Sequence, residues 1–291
     1  MKNNISLKII LSVVLIFSMS LPFLTETTEA ASTQTAFVNI KSGTLTVRST
    51  ASIKAKKVGS LKKYAKVKVY STTKSGWSEI RYNKKKAYVS SKYLININIK
   101  NSRVTYSLKD INGNKYTVYI IGTNEKRGKA TFDGNLGWNF VWAGANEGDS
   151  LYKGDYKIYL LKNGSQTASY TGYQYKDYTY NATRKMIYSV PSKYKGQPDL
   201  FAFAETMSSN GEEAGIYYVH KGKLKRAESL LYTYRPQVSA KNKYKIAFYN
   251  NGDAKWYVYT LSFNPTKGTF NNLNVKQYDF QKMYKWRKDW K

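Results

Sequence analysis

The sequence predicts an all-β protein, and three observations carry that reading. Tyr, Thr, Val and Ile dominate the hydrophobic positions, with 28 tyrosines in all; these are the side chains that suit a pleated, half-buried surface. Long Leu/Ala/Glu patterns of helical period are missing. Asn112-Gly113, Asp133-Gly134, Asn163-Gly164, Asn210-Gly211 and Asn251-Gly252 punctuate the chain, and such pairs favour tight hairpin turns because they tolerate positive φ. Along the chain the expected order is an export signal, a small barrel, and a larger antiparallel β domain.

The first element is residues 1–30. Lys2 and Lys8 precede the apolar run IILSVVLIF, Ile9 to Phe17, which Ser18, Ser20 and Pro22 then interrupt. TETTEAAS offers small residues at Thr28, Ala30 and Ala31. A basic start, a short apolar core and a small-residue exit make a secretory signal peptide, cleaved after Ala30 or Ala31. The alternative is a membrane anchor, which needs about 20 mostly apolar residues, more than this run supplies. The expectation is an exported protein with no transmembrane segment after cleavage, secreted or held at the cell wall.

Composition and charge set wider bounds. With no cysteine, stability outside the cell rests on packed cores, not disulfides. About 260 residues remain after cleavage, enough for one large or two smaller domains. The net charge of +30 predicts strong attraction to a polyanion at low salt. Outside a cell nucleic acid is not the expected target; anionic wall polymers and lipid head groups are nearer.

The second element is residues 36–94. Strands are expected at 37–40, 45–48, 58–61, 66–70, 77–82 and 86–89. In AKVKVYS, Val67 and Val69 alternate with Lys66 and Lys68, the period-two signature of a strand with one buried face. Five or six short strands in about 59 residues are best closed as a small barrel, which hides sheet edges. Three segments, LTVRSTAS, KKVGSLKKYAKVKVY and GWSEIRYNKKKAYVSSKYL, succeed one another in an order and spacing that resembles the bacterial SH3-like domain (SH3b). That family runs L-N-V-R-S, a small-residue loop, V-(I/G)-x-L, V-x-V, G-W-x-K-I-x-Y and G-Y-V-x-S-x-Y-L. Thr46 stands where Asn is common, Ala51 where Pro is common, and Ala65 and Ala87 where Gly is common. The Ala51 difference bears on the shape of its loop.

The resemblance implies binding, not catalysis: such modules usually hold secreted proteins on peptidoglycan. Residues 36–94 also carry thirteen lysines and two arginines against one acid, Glu79. Attraction to anionic wall polymers arises from that field and weakens with salt. Trp77, Tyr82, Tyr88 and Tyr93 are the aromatic candidates for ligand contact, with Arg48 and Lys86 as charged neighbours. The alternative is packing, with Trp77 and Tyr88 in or near the core and Arg48 bracing a turn.

Residues 95–101, within ININIKNSR, read as a linker or as the first strand of the next domain. The third element, residues 102–291, is a Tyr-rich antiparallel β domain with a weak internal repeat. NFVWAGANEGD (139–149), LFAFAETMSSNGEE (200–213) and KIAFYNNGDAKW (245–256) each place an apolar strand before an Asn/Gly/acid turn. An aromatic strand and a basic turn come after each. Trp142, Phe203 and Phe248 mark unequal spacings of 61 and 45 residues. Repeated hairpins suit a small propeller-like array, and a β-sandwich remains the alternative.

Residue counts exclude several chemistries. With His220 the sole histidine and no cysteine, a structural zinc site is excluded and a catalytic one lacks its usual ligands; no metal and no cofactor are expected. His220 sits in a lysine-rich hairpin without a G-x-S-x-G elbow, so cysteine peptidases, zinc amidases and serine triads fall away. A glycosidase needs only two carboxylates, and Glu205, Glu212, Glu213, Asp149 and Asp199 are the candidates. Glu212 and Glu213 come after Asn210-Gly211 and read as exposed turn charges. DINGNKY (110–116) reads as a hairpin turn, because its twelfth position is Ile121 where a calcium loop needs Glu. The tail QYDFQKMYKWRKDWK (277–291) interleaves aromatics and cations, which suits either a polymer interface or a closing element packed on a sheet.

The sequence therefore predicts a cell-wall-associated binding protein of a Gram-positive-type bacterium. Its partners are peptidoglycan and anionic wall polymers, with no nucleic acid, and the C-terminal β domain gives a second binding or scaffold surface. The alternative is a wall-targeted glycosidase-type hydrolase using carboxylates of that domain.

Overall fold

The computed structural model describes residues 33–131, 145–207 and 210–282. The expected signal peptide, Asp133-Gly134, Trp142 and the tail beyond 282 lie outside the described residues. Among the described residues no helix is long and apolar enough to cross a membrane.

Thr33 onward forms one compact unit, and it is all-β. Its first part has eight strands: β1 (Gln34–Val38), β2 (Thr44–Arg48), β3 (Lys57–Lys62), β4 (Lys66–Val69), β5 (Ser71–Thr72), β6 (Trp77–Tyr82), β7 (Lys85–Ser90) and β8 (Leu94–Ile95). They make two antiparallel sheets, β4-β1-β8 and β3-β2-β7-β6-β5. The alternation Lys66-Val67-Lys68-Val69 buries its valine side as expected. Val67 joins Val38, Leu45, Val47, Ile80 and Val89 in one core. β1 lies three residues before its expected start, because Gln34 to Phe37 pair with Val69 to Lys66 through the backbone. Asn83 and Lys84, between β6 and β7, both have positive φ (49° and 63°). That is the backbone of a two-residue hairpin turn, with lysine where glycine is normally found.

Among the described residues, the second part contains three sheets in succession. The first comprises β9 (Ser102–Lys109), β10 (Lys115–Lys129), β11 (Ser150–Lys162) and β12 (Ser169–Asn181). The second comprises β13 (Ile187–Val190), β14 (Leu200–Thr206), β15 (Glu212–His220), β16 (Lys223–Arg226) and β17 (Leu230–Tyr232). The third comprises β18 (Tyr234–Ala240), β19 (Lys243–Asn250), β20 (Lys255–Asn264) and β21 (Thr269–Asp279). Strand order matches chain order in each, apart from β17, which pairs with β15. The turns at Asn112-Gly113, Asn163-Gly164, Asn210-Gly211 and Asn251-Gly252 each join consecutive strands. The β10–β11 ladder is bulged at 123–126. Gly154 faces that bulge, and a Cβ there would lie 2.9 Å from the Thr123 carbonyl oxygen.

The middle sheet is buried on both faces, so its strand LFAFA (200–204) is apolar throughout instead of alternating. Phe201 meets Tyr106 and Phe203 stacks on Tyr175 at 3.7 Å, both from the first sheet. Tyr218, on the other face, meets Phe263 of the third sheet edge-on at 5.0 Å. Buried tyrosines find partners for their hydroxyls. Tyr175 and Tyr217 bond each other at 2.5 Å, Tyr188 bonds Tyr232, and Tyr106 donates to the Ile187 carbonyl at 2.7 Å. Each ring thus fills the core while its polar end is satisfied.

The two parts share a small core. Ile95 and Ile97 pack with Tyr119, Leu161 and Ala168, against Phe37 and Ile99. Asn96 donates to the Ala168 carbonyl (2.9 Å) and accepts from the Ala168 amide (2.8 Å), so its side chain pairs with backbone as a strand neighbour would. The stretch read as a linker thus carries buried and hydrogen-bonded residues.

Candidate ligand-binding groove

β6 and β7 turn Ile80, Ala87 and Val89 into the core of the first part. Alternation then sends Trp77, Glu79 and Arg81 of β6, with Lys86, Tyr88 and Ser90 of β7, to the other face. The register places Trp77 beside Ser90, Glu79 beside Tyr88, Arg81 beside Lys86, and Arg48 of β2 beside Tyr88. Four of the six residues predicted for ligand contact, Arg48, Trp77, Lys86 and Tyr88, therefore share one sheet face. Tyr93 lies just beyond, in the short 3-10 turn Ser91–Tyr93.

This face opens into a groove of about 1000 Å3 lined by Arg48, Trp77 and Tyr93 together with Lys41, Lys63 and Lys92. Trp77 is only 9% exposed and forms wall, while Tyr93 is 38% exposed. Arg48 donates from Nη1 to the Ala55 carbonyl at 2.7 Å, so it braces its loop as well as lining the groove. Tyr82 is elsewhere: it packs against the core of the first part, and its ring lies where a Cβ on Gly59 would come within 2.3 Å. Lys86 and Arg81 are engaged by Glu79, at 2.9 and 2.7 Å. Glu79 also accepts from Ser71 at 3.2 Å, and these bonds, led by Arg81 and Lys86, hold its carboxyl at about 2. The only acid of this part is thus spent on its neighbours. Among the described residues no carboxylate pairs with Arg48, Lys41, Lys63 or Lys92.

Sequence reasoning missed the far wall. Thr117, Tyr119, Leu161, Asn163 and Gln166, from β10, β11 and the turn after β11, line the same groove. With its amide oriented to satisfy both partners, Gln166 donates to the Ser91 carbonyl and accepts from the Lys92 amide, at 3.3 and 3.2 Å. No local motif marks these residues, because the shared core around Ile95 and Ile97 brings them there. The lysines carried a signal: Lys63 and Lys92 lie inside motif segments, and Lys41 lies four residues before LTVRSTAS.

The carboxylates weighed for glycosidase chemistry divide. Asp149 is buried and accepts from Asn181 Nδ2 and the Asn146 amide at 2.8 and 2.9 Å. Asp199 is buried and accepts from the Lys109 and Ser192 amides, both at 2.7 Å. Both fasten loops. Glu212, expected in an exposed turn, is instead buried at the start of β15. It accepts from Arg235 Nε at 3.0 Å, Arg235 Nη2 at 3.1 Å and Arg184 Nη2 at 3.0 Å. Glu205 and Glu213 are direct cross-strand partners, and partial desolvation, then Glu213, push the Glu205 carboxyl above its ordinary value. Among the described residues no three metal-ligating side chains converge.

Residues 43–95 match the family model described as bacterial SH3 domain. The match spans β2 to β8 and ends at the residue where the shared core begins. Domains of this family are commonly cell-wall-binding modules. No curated protein matches the chain.

Proposed function

We propose that this is an exported, non-catalytic protein of the bacterial cell wall. Residues 36–94 dock on peptidoglycan or its anionic polymers, and residues 102–291 present a second binding or scaffold surface. The observation that carries this reading is the groove itself. Arg48, Trp77 and Tyr93 line it with Lys41, Lys63 and Lys92, and no acidic side chain contributes to its lining. An aromatic wall takes the apolar face of a peptide or sugar, and cations without a carboxylate partner draw in anionic chain. Arg81 and Lys86, held by Glu79, support the sheet face more than they attract ligand.

The test is retention of the chain from residue 31 on purified walls, intact or stripped of anionic polymers, across a salt series. Salt-resistant retention on stripped walls that Tyr93→Ala weakens supports a specific peptidoglycan site. Loss of retention on stripping, or at moderate salt, reduces the face to a charged patch. The glycosidase alternative rests on the cross-strand pair Glu205 and Glu213. It requires wall lysis by the parent chain that Glu205→Gln abolishes.

A further inference from the structure

A second groove lies on the tyrosine-rich part, where the end of β11 and the start of β12 face the β15–β16 hairpin. It encloses about 600 Å3. Leu160, Leu224 and Tyr116, all buried, form its floor. Lys162, Lys223 and Lys225 are exposed at its rim, and no Asp or Glu contributes to the lining. Among the described residues no carboxylate pairs with any of these three lysines. One wall carries hydroxyls at alternate positions, Ser165, Thr167, Ser169 and Thr171; those of Ser165 and Thr171 bond neighbouring backbone, which leaves Thr167 and Ser169 facing a ligand. Tyr170 is exposed in the lining but fixed, with Tyr159 5.6 Å away and the Lys157 ammonium 5.8 Å from its ring centre.

The chemistry of this lining is specific in kind. Three ammonium groups around one concavity, without a counter-charge, repel one another and are relieved by a bound anion. Hydroxyls and a held tyrosine ring suit a polyol or sugar, through hydrogen bonds and C–H contact. Together they fit a chain of polyols or sugars joined by phosphodiesters. The groove is also close to the first: Ser165 lines both, so only the turn between β11 and β12 separates them. We propose that the two grooves form one track. A phosphodiester-linked polyol chain on the SH3 face crosses the turn at residues 163–167 and enters the second groove, where Lys162, Lys223 and Lys225 hold its phosphates. This rests on the reading of the first groove as a wall-polymer site and adds a subsite to it.

A chain that occupies both grooves gains from the second contact being intramolecular. The probes are a glycerol phosphate trimer, too short to cross the turn, and long poly(glycerol phosphate), titrated against the chain from residue 31 at fixed salt. The groove variant is Lys162→Gln/Lys223→Gln/Lys225→Gln. The control, Lys255→Gln/Lys267→Gln/Lys276→Gln, removes equal charge from exposed positions on the third sheet. The expected result is polymer affinity at least about tenfold above trimer affinity, of which the groove variant loses about tenfold and the control under about threefold. Equal losses in the two variants overturn the proposal, as does a polymer that binds no better than the trimer. If the parent is retained on stripped walls but the two variants behave alike, this inference alone falls. If the parent ignores stripped walls yet the groove variant still loses the polymer, the second groove stands and the peptidoglycan reading of the SH3 face falls.

Discussion

Replacing Glu212 with Gln keeps the volume of the side chain and removes its charge, leaving two arginines facing a neutral amide. The carboxylate is 7% exposed, while Arg184 and Arg235 are 33% and 30% exposed. Removing one partner of a fully buried ion pair costs about 3–5 kcal/mol. Here water reaches both guanidinium groups and takes up part of the loss. Arg235 also keeps its bonds to the Lys185 and Arg184 carbonyls, each at 3.0 Å. The expected cost is about 2 kcal/mol, or about 4–8 °C in melting temperature for a unit of this size. Urea and thermal unfolding of Glu212→Gln, Arg235→Met and the double variant give both the cost and the coupling. A coupling above about 1 kcal/mol is expected for groups sharing one bonded cluster. An unchanged melting temperature would refute the reasoning, because it would make Glu212 a solvated turn charge after all. Loss of a wall-lytic activity in Glu212→Gln at unchanged stability would overturn it from the other side.

Four further outcomes concern the SH3 part. Glu79 titrates at about 2 in the folded chain against an ordinary 4.5, so the folded state resists its protonation. Its contribution to stability is complete above 4.5 and is lost as pH falls from there towards 2. The parent should therefore lose stability over that interval faster than Glu79→Gln, as read by urea midpoints at stepped pH; parallel curves would exclude the linkage. Lys84 has φ of 63° in the β6–β7 turn, so Lys84→Gly should raise stability by about 0.5–1 kcal/mol, and a drop in the urea midpoint would show the lysine makes compensating contacts. Tyr93→Ala should weaken wall retention about five- to tenfold, equivalent to about 1 kcal/mol, with unfolding unchanged. Tyr82→Ala should do the reverse, costing about 3 kcal/mol by emptying the space above Gly59. If Tyr82→Ala weakens retention while its fold is intact, the groove extends to the other sheet face.

Local signals carried far in this sequence. The valine-lysine alternation in β4, the motif through β6 and β7, and four Asn-Gly turns all lie where side-chain pattern placed them, because neighbours in sequence set each of them. Long-range pairing was illegible. Glu212 comes after a correctly read turn, but its burial arises from Arg184 and Arg235, 28 and 23 positions away. Asn96 looked like part of a polar spacer, yet its partner Ala168 is 72 positions distant. The candidate groove divides the same way. Arg48, Trp77 and Tyr93 stood out within a motif, while Tyr119, Asn163 and Gln166 gained their place only when the first sheet packed on Ile95 and Ile97. Tyr82, a strand-end aromatic like its neighbours, faces inward because it lies an even number of residues from Ile80.

The clamp between Asn96 and Ala168, with the isoleucines on either side, has a mechanical consequence. A module strung on a loose tether lets its companion sweep a large volume, and pulling on one end first straightens the string. Here there is no slack to take up: force applied to the SH3 face passes directly into the backbone at Ala168, the residue before β12. If the SH3 face docks as proposed, the sheets beyond the clamp are held at a fixed angle to the surface, and every copy presents the same side outward. An array of such molecules would be oriented as well as anchored, like brackets screwed to a wall and not flags tied to it.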